Sequence, residues 1–337
     1  MKAIGYSACL PATDPNALVD FETDRPKPGP RDLLVEVKAV SVNPVDTKVR
    51  RNAAPKPGER RILGWDASGV VVEVGSAVTL FRPGDEVFYA GSIVRPGANS
   101  EFHAVDERIV GRKPATLDFA QAAALPLTSI TGWEALFDRI RVKDAVPGAA
   151  NAILIIGGAG GVGSIAIQLA RTLTGLTVIA TASRPETQDW VRGLGAHHVI
   201  DHRKPLAPQV EALGLGMPGL VFCTTETAAH SADIVALLAP QGRLAMIDDP
   251  GTFDIMPFKR KCLSVHWEAM FARSMFETAD MIGQHELLNE VSRRVDEGVL
   301  RTTLGESFGT INAENLRRAH ALIETGTARG KIVLAGF

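Results

Sequence analysis

What this 337-residue chain has little of narrows its class first. Its 3 cysteines, Cys9, Cys223 and Cys262, are too few and too scattered for a disulfide framework, which fits a reducing cytoplasm. No run approaches about 18 uninterrupted apolar residues, and the opening MKAIGYSACLPATD holds no apolar signal core, so neither membrane insertion nor export is expected. Neither charge sign dominates. With 36 Lys+Arg against 38 Asp+Glu, the net charge of -2 gives no pull toward nucleic acid or an anionic membrane. Internal repeats and low-complexity segments are absent too. What remains is a chain with 45% hydrophobic residues, enough for two cores.

The most informative stretch that is present runs from Ile153 to Arg171, ILIIGGAGGVGSIAIQLAR. An apolar strand enters a glycine-rich turn and leaves as an amphipathic helix, the order a dinucleotide pyrophosphate needs. Gly157 and Gly158 allow a sharp turn, Gly160 and Gly161 let backbone N–H groups approach phosphate, and Gly163 lets the helix pack close to the strand. Ala159 and Val162 belong to the same loop. The helix N-terminus then points its dipole and free N–H groups at the phosphates.

Cofactor choice is read at the end of the next strand, LTVIATASRPE, Leu176 to Glu186. NAD sites place an Asp or Glu there, whereas a 2′-phosphate needs a cation and small donors. The strand ends in Ser183 and Arg184, with no carboxylate at that corner, so NADPH is expected over NADH. The alternative is that Arg184 is only a solvated helix-start residue before Pro185. His202 and Arg203, after the third strand, are further candidates for the adenosine phosphate.

The pattern divides the chain. Residues 1 to about 120 read as short strands with turns, a small antiparallel barrel, from DLLVEVKAVSVN, GVVVEVG and FRPGDEV. From about 128 to 272 strands alternate with helices, with strands near 151–156, 177–181, 199–200, 220–222 and 244–247, which predicts a doubly wound parallel sheet. The tail predicts helices over 276–297 and 313–324 and a strand, GKIVL, at 330–334 that returns to the first domain. The expected class is α/β, with one domain over 1–127 and 273–337 and the other over 128–272.

These residues resemble the medium-chain dehydrogenase/reductase superfamily, within it the zinc-free quinone oxidoreductase branch and its zinc-type alcohol dehydrogenase-like relatives. The resemblance rests on VSVNPVDTKVR, LGWDASGVVVEVG, RPGDEV, ALPLTSITGWEALF, the glycine loop and the terminal GKIVL. It implies a GroES-like β-barrel domain for substrate, a Rossmann NADP-binding domain, and an active site in the cleft between them. The informative departures concern zinc. At the positions where alcohol dehydrogenases of the superfamily hold catalytic zinc, this chain has Asn43, Trp65 and Leu127, none a usual zinc ligand; Asp66 could bind a metal only alone. The lobe for structural zinc is missing, since residues 88–103 contain no cysteine. His197, His198 and His202 cluster locally, but on the Rossmann side. No metal is expected.

Without a metal to lower the pKa of a hydroxyl, oxidation of a plain alcohol is disfavoured, while hydride addition to a quinone or an enone or enal needs less help. The resemblance then assigns roles. Asn43 and Asp46 lie on a loop beside the nicotinamide; Asn43 either donates to the acceptor oxygen or forms the turn before Pro44. Thr128 and Thr131 contact the nicotinamide edge or cap a helix beginning near Gly132. Trp65 walls the pocket or packs under the barrel. Thr224, Lys331 and the backbone around Ile247 are assigned to the cofactor, and Asp248 and Asp249 read as turn residues. A non-catalytic NADPH-binding protein stays open. The segment 261–271 is expected as an apolar edge strand pairing with its copy in a homodimer.

Overall fold

The computed structural model describes residues 1–337 and divides them into two units, residues 1–130 with 271–337, and residues 131–270. No helix is long and apolar enough to cross a membrane.

The second unit follows from its apolar strands. Ile153 to Ile156 are fully buried, as a strand covered on both faces requires. Six parallel strands form the sheet, in the order His198–Ile200, Thr177–Thr181, Ala150–Ile156, Pro218–Cys223, Arg243–Met246, Ser264–Trp267. Numbered along the chain this order is 3-2-1-4-5-6, whose direction reverses beside Ala150–Ile156, the point at which α/β sheets bind ligands. The helices Gly161–Leu173, Pro185–Gly193, Leu206–Ala212 and Thr227–Leu237 connect the strands.

The first unit holds a 7-stranded sheet and a 3-stranded one. Strand Asp32–Val42 is the hub of the larger sheet, antiparallel to Ala67–Val74, Phe102–Asp106 and Lys331–Ala335. The terminal strand thus returns to this unit, with Val42 opposite Ile332 and Val40 opposite both Leu334 and Ala67. That register brings Asn43, Asp66 and Lys331 to one end of neighbouring strands.

Three expectations need correction. The helix expected over 276–297 spans only Gly283–Asp296. Glu277 has a positive φ of 44° and Asp280 accepts from Thr278 Oγ1 at 2.6 Å and pairs with Arg273, so the chain turns there before the helix begins. The edge strand expected over 261–271 is only Ser264–Trp267. Lys261 instead ends a 3-10 turn, its ammonium on the carbonyls of Val235, Ala236 and Leu238 at 2.8 Å each, and Cys262 takes a left-handed φ of 52°. Finally, the helix expected near Gly132 is Pro126–Trp133, begun by a proline in the first turn. Thr128 and Thr131 therefore lie inside it, not at its cap. Thr128 Oγ1 donates to Leu125 O at 3.2 Å.

Candidate functional site

In the second unit the glycine turn is held from below by one threonine. Gly157 N–H donates to Thr181 Oγ1 at 2.9 Å and Gly158 N–H to Thr181 O at 3.1 Å. Gly157 has a φ of 80°, and a Cβ there would lie 2.3 Å from Thr224 Oγ1, which itself donates to Ile156 O at 2.8 Å. A Cβ on Gly163 would lie 2.3 Å from Gly157 O, so turn and helix touch backbone to backbone. The helix starts at Gly161 with Gly160 as a cap that offers no side chain, and its first internal bond is Ser164 N–H to Gly160 O at 2.9 Å. The N–H groups of Gly161, Val162 and Gly163 consequently have no acceptor within the helix. Ala159, Gly160, Gly161 and Val162 are all part-exposed beside them. A pyrophosphate fits these donors and this dipole.

Thr224 supports the turn, and Ile247 follows the strand Arg243–Met246 with partial exposure. Asp248 accepts from Thr227 N–H at 2.8 Å, which makes it a helix cap, consistent with a turn role.

The adenosine corner differs from expectation. Ser183 and Arg184 stand where the sequence puts them, but carboxylates are present. Arg184 Nε lies 3.1 Å from Glu186 Oε1, both side chains about half exposed. Arg203 forks onto Asp201 at 2.9 to 3.3 Å through Nε and Nη2, and Nη2 also donates to Ser183 O at 2.8 Å. His202 Nδ1 lies 3.3 Å from Thr181 Oγ1, and burial holds its pKa below the usual histidine value, so it adds no charge near neutrality. Arg203 and His202 thus already have partners within the protein. His197 likewise accepts from Val178 N–H at 2.9 Å.

In the first unit, a buried polar centre gathers Asn43, Asp46, Asp66 and Lys331. Asn43 caps helix Pro44–Asn52, with its N–H on Asp46 Oδ2 at 2.7 Å, and Asp46 Oδ1 accepts from Gly64 N–H at 3.0 Å. Asn43 Nδ2 donates to Asp66 Oδ2 at 3.0 Å and to Ser41 O at 3.4 Å. Lys331 Nζ donates to Val42 O and Asp66 Oδ2 at 3.0 Å each and to Asn43 Oδ1. Asp66 Oδ1 accepts from Leu127 N–H at 2.9 Å and so caps the helix Pro126–Trp133. Burial pushes Asp46 up to about 7 and raises Asp66, the latter against the opposing pull of the Lys331 ammonium.

This geometry corrects three assignments. Both amide hydrogens of Asn43 are spent within the protein, so it is a structural cap with no donor left for an acceptor oxygen. Lys331 uses its three hydrogens on three oxygens and has none for a cofactor. Trp65 is fully buried, its Nε1 on Ser92 O at 3.1 Å and its ring edge-on to Phe271 at 6.1 Å, so it packs under the sheet and does not wall an open pocket.

Zinc does not fit this donor set. Asn43, Trp65 and Leu127 offer no usual zinc ligand, Asp66 already pairs with the Lys331 ammonium, and no group of three His, Cys, Asp or Glu is arranged to hold a metal.

Sequence reasoning missed a second carboxyl cluster. Glu134, on a π-turn at Glu134–Arg139, hydrogen-bonds Glu268, just past the edge strand; both side chains are buried, and Arg139 lies 2.8 Å from Glu268 and 3.7 Å from Glu134. Burial, then the Glu134 charge, pushes Glu268 up to about 8. Two glutamates separated so far along the chain leave no local signal.

Comparison with known proteins agrees with the fold. Residues 29–115 match the alcohol dehydrogenase GroES-like domain and residues 194–334 the zinc-binding dehydrogenase family. The chain is 38% identical over 339 residues to a zinc-type alcohol dehydrogenase-like protein of Staphylococcus aureus (strain MSSA476), covering 99% of each. A solved structure from Rhizobium etli CFN 42, named as a candidate zinc-dependent alcohol dehydrogenase, is 66% identical with a TM-score of 0.98, over 100% of this chain and 98% of that one. The quinone oxidoreductase of Coxiella burnetii is 27% identical with a TM-score of 0.81, over 100% and 99%. A GroES-like unit, a parallel sheet ordered around a glycine turn, and near-complete coverage by these relatives converge: the chain belongs to the medium-chain dehydrogenase/reductase superfamily and is an oxidoreductase of the nicotinamide-binding kind.

Proposed function

We propose that the protein reduces a quinone or a similarly activated carbonyl acceptor with NADPH and does so without zinc. What supports this is the buried Lys331–Asp66 pair, whose Asp66 is next in sequence to Trp65, one of the positions where the resemblance would put a zinc ligand. An ammonium with all three hydrogens engaged holds the carboxylate, so neither can polarise an alcohol as a Lewis acid does. NADPH, when bound, supplies the hydride.

The chain's own residues bind and orient. The N–H groups of Gly161, Val162 and Gly163 receive the pyrophosphate, Thr181 braces the turn beneath them, and Ser183 and Arg184 receive the 2′-phosphate. Within the second unit, Thr131 and the backbone of Ile247 are the groups assigned to the nicotinamide in this proposal. An acceptor that already delocalises charge onto oxygen asks only for alignment and modest donor support. The quinone oxidoreductase likeness supports this acceptor class, and an enone or enal would serve equally.

We further propose a cytoplasmic homodimer joined along Ser264–Trp267. That strand ends its sheet with one side unpaired, and Trp267, its last residue, is 57% exposed.

The test is an acceptor screen. NADPH oxidation with benzoquinones or enals, unchanged by chelator, is the expected result. Rapid NADP⁺ reduction by ethanol or a secondary alcohol, with quinones and enals inert, would overturn it.

A further inference from the structure

Two arginines reach the adenosine corner, and each already holds a carboxylate, but the two pairs are built differently. Asp201 is locked. It accepts from Arg203 N–H, takes both Nε and Nη2 of the guanidinium, and is only 15% exposed, while Arg203 Nη2 also reaches Ser183 O. Glu186 is loose. It lies in the first turn of helix Pro185–Gly193, 54% exposed, two residues from Arg184, and meets the guanidinium through Nε at 3.1 Å. Glu186 therefore has the exposure to leave and the helix N-terminus to remain near.

We propose that Glu186 is a specificity-determining residue: its carboxylate occupies Arg184 as a stand-in for the 2′-phosphate, and the phosphate of NADPH must displace it. The proposal rests on Arg184 as the phosphate site, as the preceding reading has it. It makes cofactor preference a difference between two anions competing for one guanidinium. A dianionic phosphate with three acceptor oxygens outbids a carboxylate, but by less than it would gain from a free arginine. With no phosphate to offer, NADH leaves the Arg184–Glu186 pair intact. The chain would then hold NADPH with a preference capped by its own side chain.

Fluorescence titration of NADPH and NADH, on the full chain and on Glu186→Gln, Arg184→Ala and the double variant, tests this. Glu186→Gln is expected to tighten NADPH by about two- to fivefold, the scale of an exposed ion pair, and to leave NADH unchanged. In the Arg184→Ala background the same substitution is expected to do nothing, which separates competition for the guanidinium from simple repulsion of phosphate. A gain that persists without Arg184 overturns the proposal, as does a Glu186→Gln variant with unchanged NADPH affinity while Arg184→Ala weakens it; in either case Arg184 remains the phosphate site or its loss is read directly. If Arg184→Ala leaves NADPH affinity untouched, the underlying reading of the corner falls, and the proposal with it.

Discussion

The polar centre of the first unit and the glycine turn of the second are both built from strand ends, yet one is closed and the other open. Around Lys331, every hydrogen finds an oxygen: Asp66 meets the ammonium, the Asn43 amide and Leu127 N–H, and Asp46 meets two backbone N–H groups. Around Gly160 the backbone does the opposite, presenting three N–H groups in a helix turn with no side chain to cap them. Buried polar groups that satisfy one another specify a fold, whereas unsatisfied donors at a surface await a ligand. Charged residues in a cluster are thus a poorer guide to binding than bare backbone.

Breaking the closed centre should have the largest effect. Lys331→Met leaves Asp66 buried without its cation, and chemical denaturation is expected to show a loss of about 3–5 kcal/mol. Pairing it with Asp66→Asn should recover a large part. An unchanged midpoint in Lys331→Met would mean that the centre is not closed. Asn43→Ala is expected to act in the same direction, on stability before turnover.

Breaking the open turn comes next. In Gly163→Val the side chain would collide with Gly157 O, 2.3 Å from an ideal Cβ. NADPH affinity is expected to fall at least about 100-fold, or about 2.7 kcal/mol, as read by nucleotide titration with the far-ultraviolet spectrum retained.

The Glu134–Glu268 pair sharpens the comparison through pH. The native Glu268 carboxyl keeps a proton up to about 8, while the unfolded one releases it near 4.5. Between those values the unfolded state binds fewer protons, so this contribution to stability is full below about 4.5 and is lost as pH rises through about 8. Asp46 adds the same sign between 3.8 and about 7. Melting temperatures should therefore decline from pH 5 toward pH 9 by roughly a few degrees, and Glu268→Gln should flatten the upper part of that slope. An identical slope in the variant would remove Glu268 as its source.

Arg184→Ala is the smallest change, since the side chain is 40% exposed and already paired. NADPH affinity is expected to fall by about tenfold with NADH unaffected, and equal losses for both would deny Arg184 a phosphate role.

What could be read from the sequence was local. Strand, turn and helix from Ala150 to Leu173 lie in one continuous stretch, so alternation and glycine spacing located them, and the helix Ala313–Glu324 was legible from its apolar period. The closed centre was not, because Asn43 and Lys331 are 288 positions apart and meet only through the register of Asp32–Val42 with the terminal strand. Nor was the true start of helix Pro126–Trp133, whose cap is a carboxylate lying just before the distant strand Ala67–Val74. Glu186 and Asp201 were visible as letters, but their grip on Arg184 and Arg203 depends on side-chain geometry that no spacing rule supplies.

The contrast between open and closed is tested most directly by a thermal-shift comparison of NADPH and Zn²⁺ on the chelator-treated protein. A ligand that binds only the folded state stabilises it by about 2.7 kcal/mol at a hundred times its dissociation constant. Saturating NADPH is predicted to raise the melting temperature by several degrees, with Zn²⁺ producing no rise. A rise with stoichiometric Zn²⁺, or none with NADPH, would contradict the account.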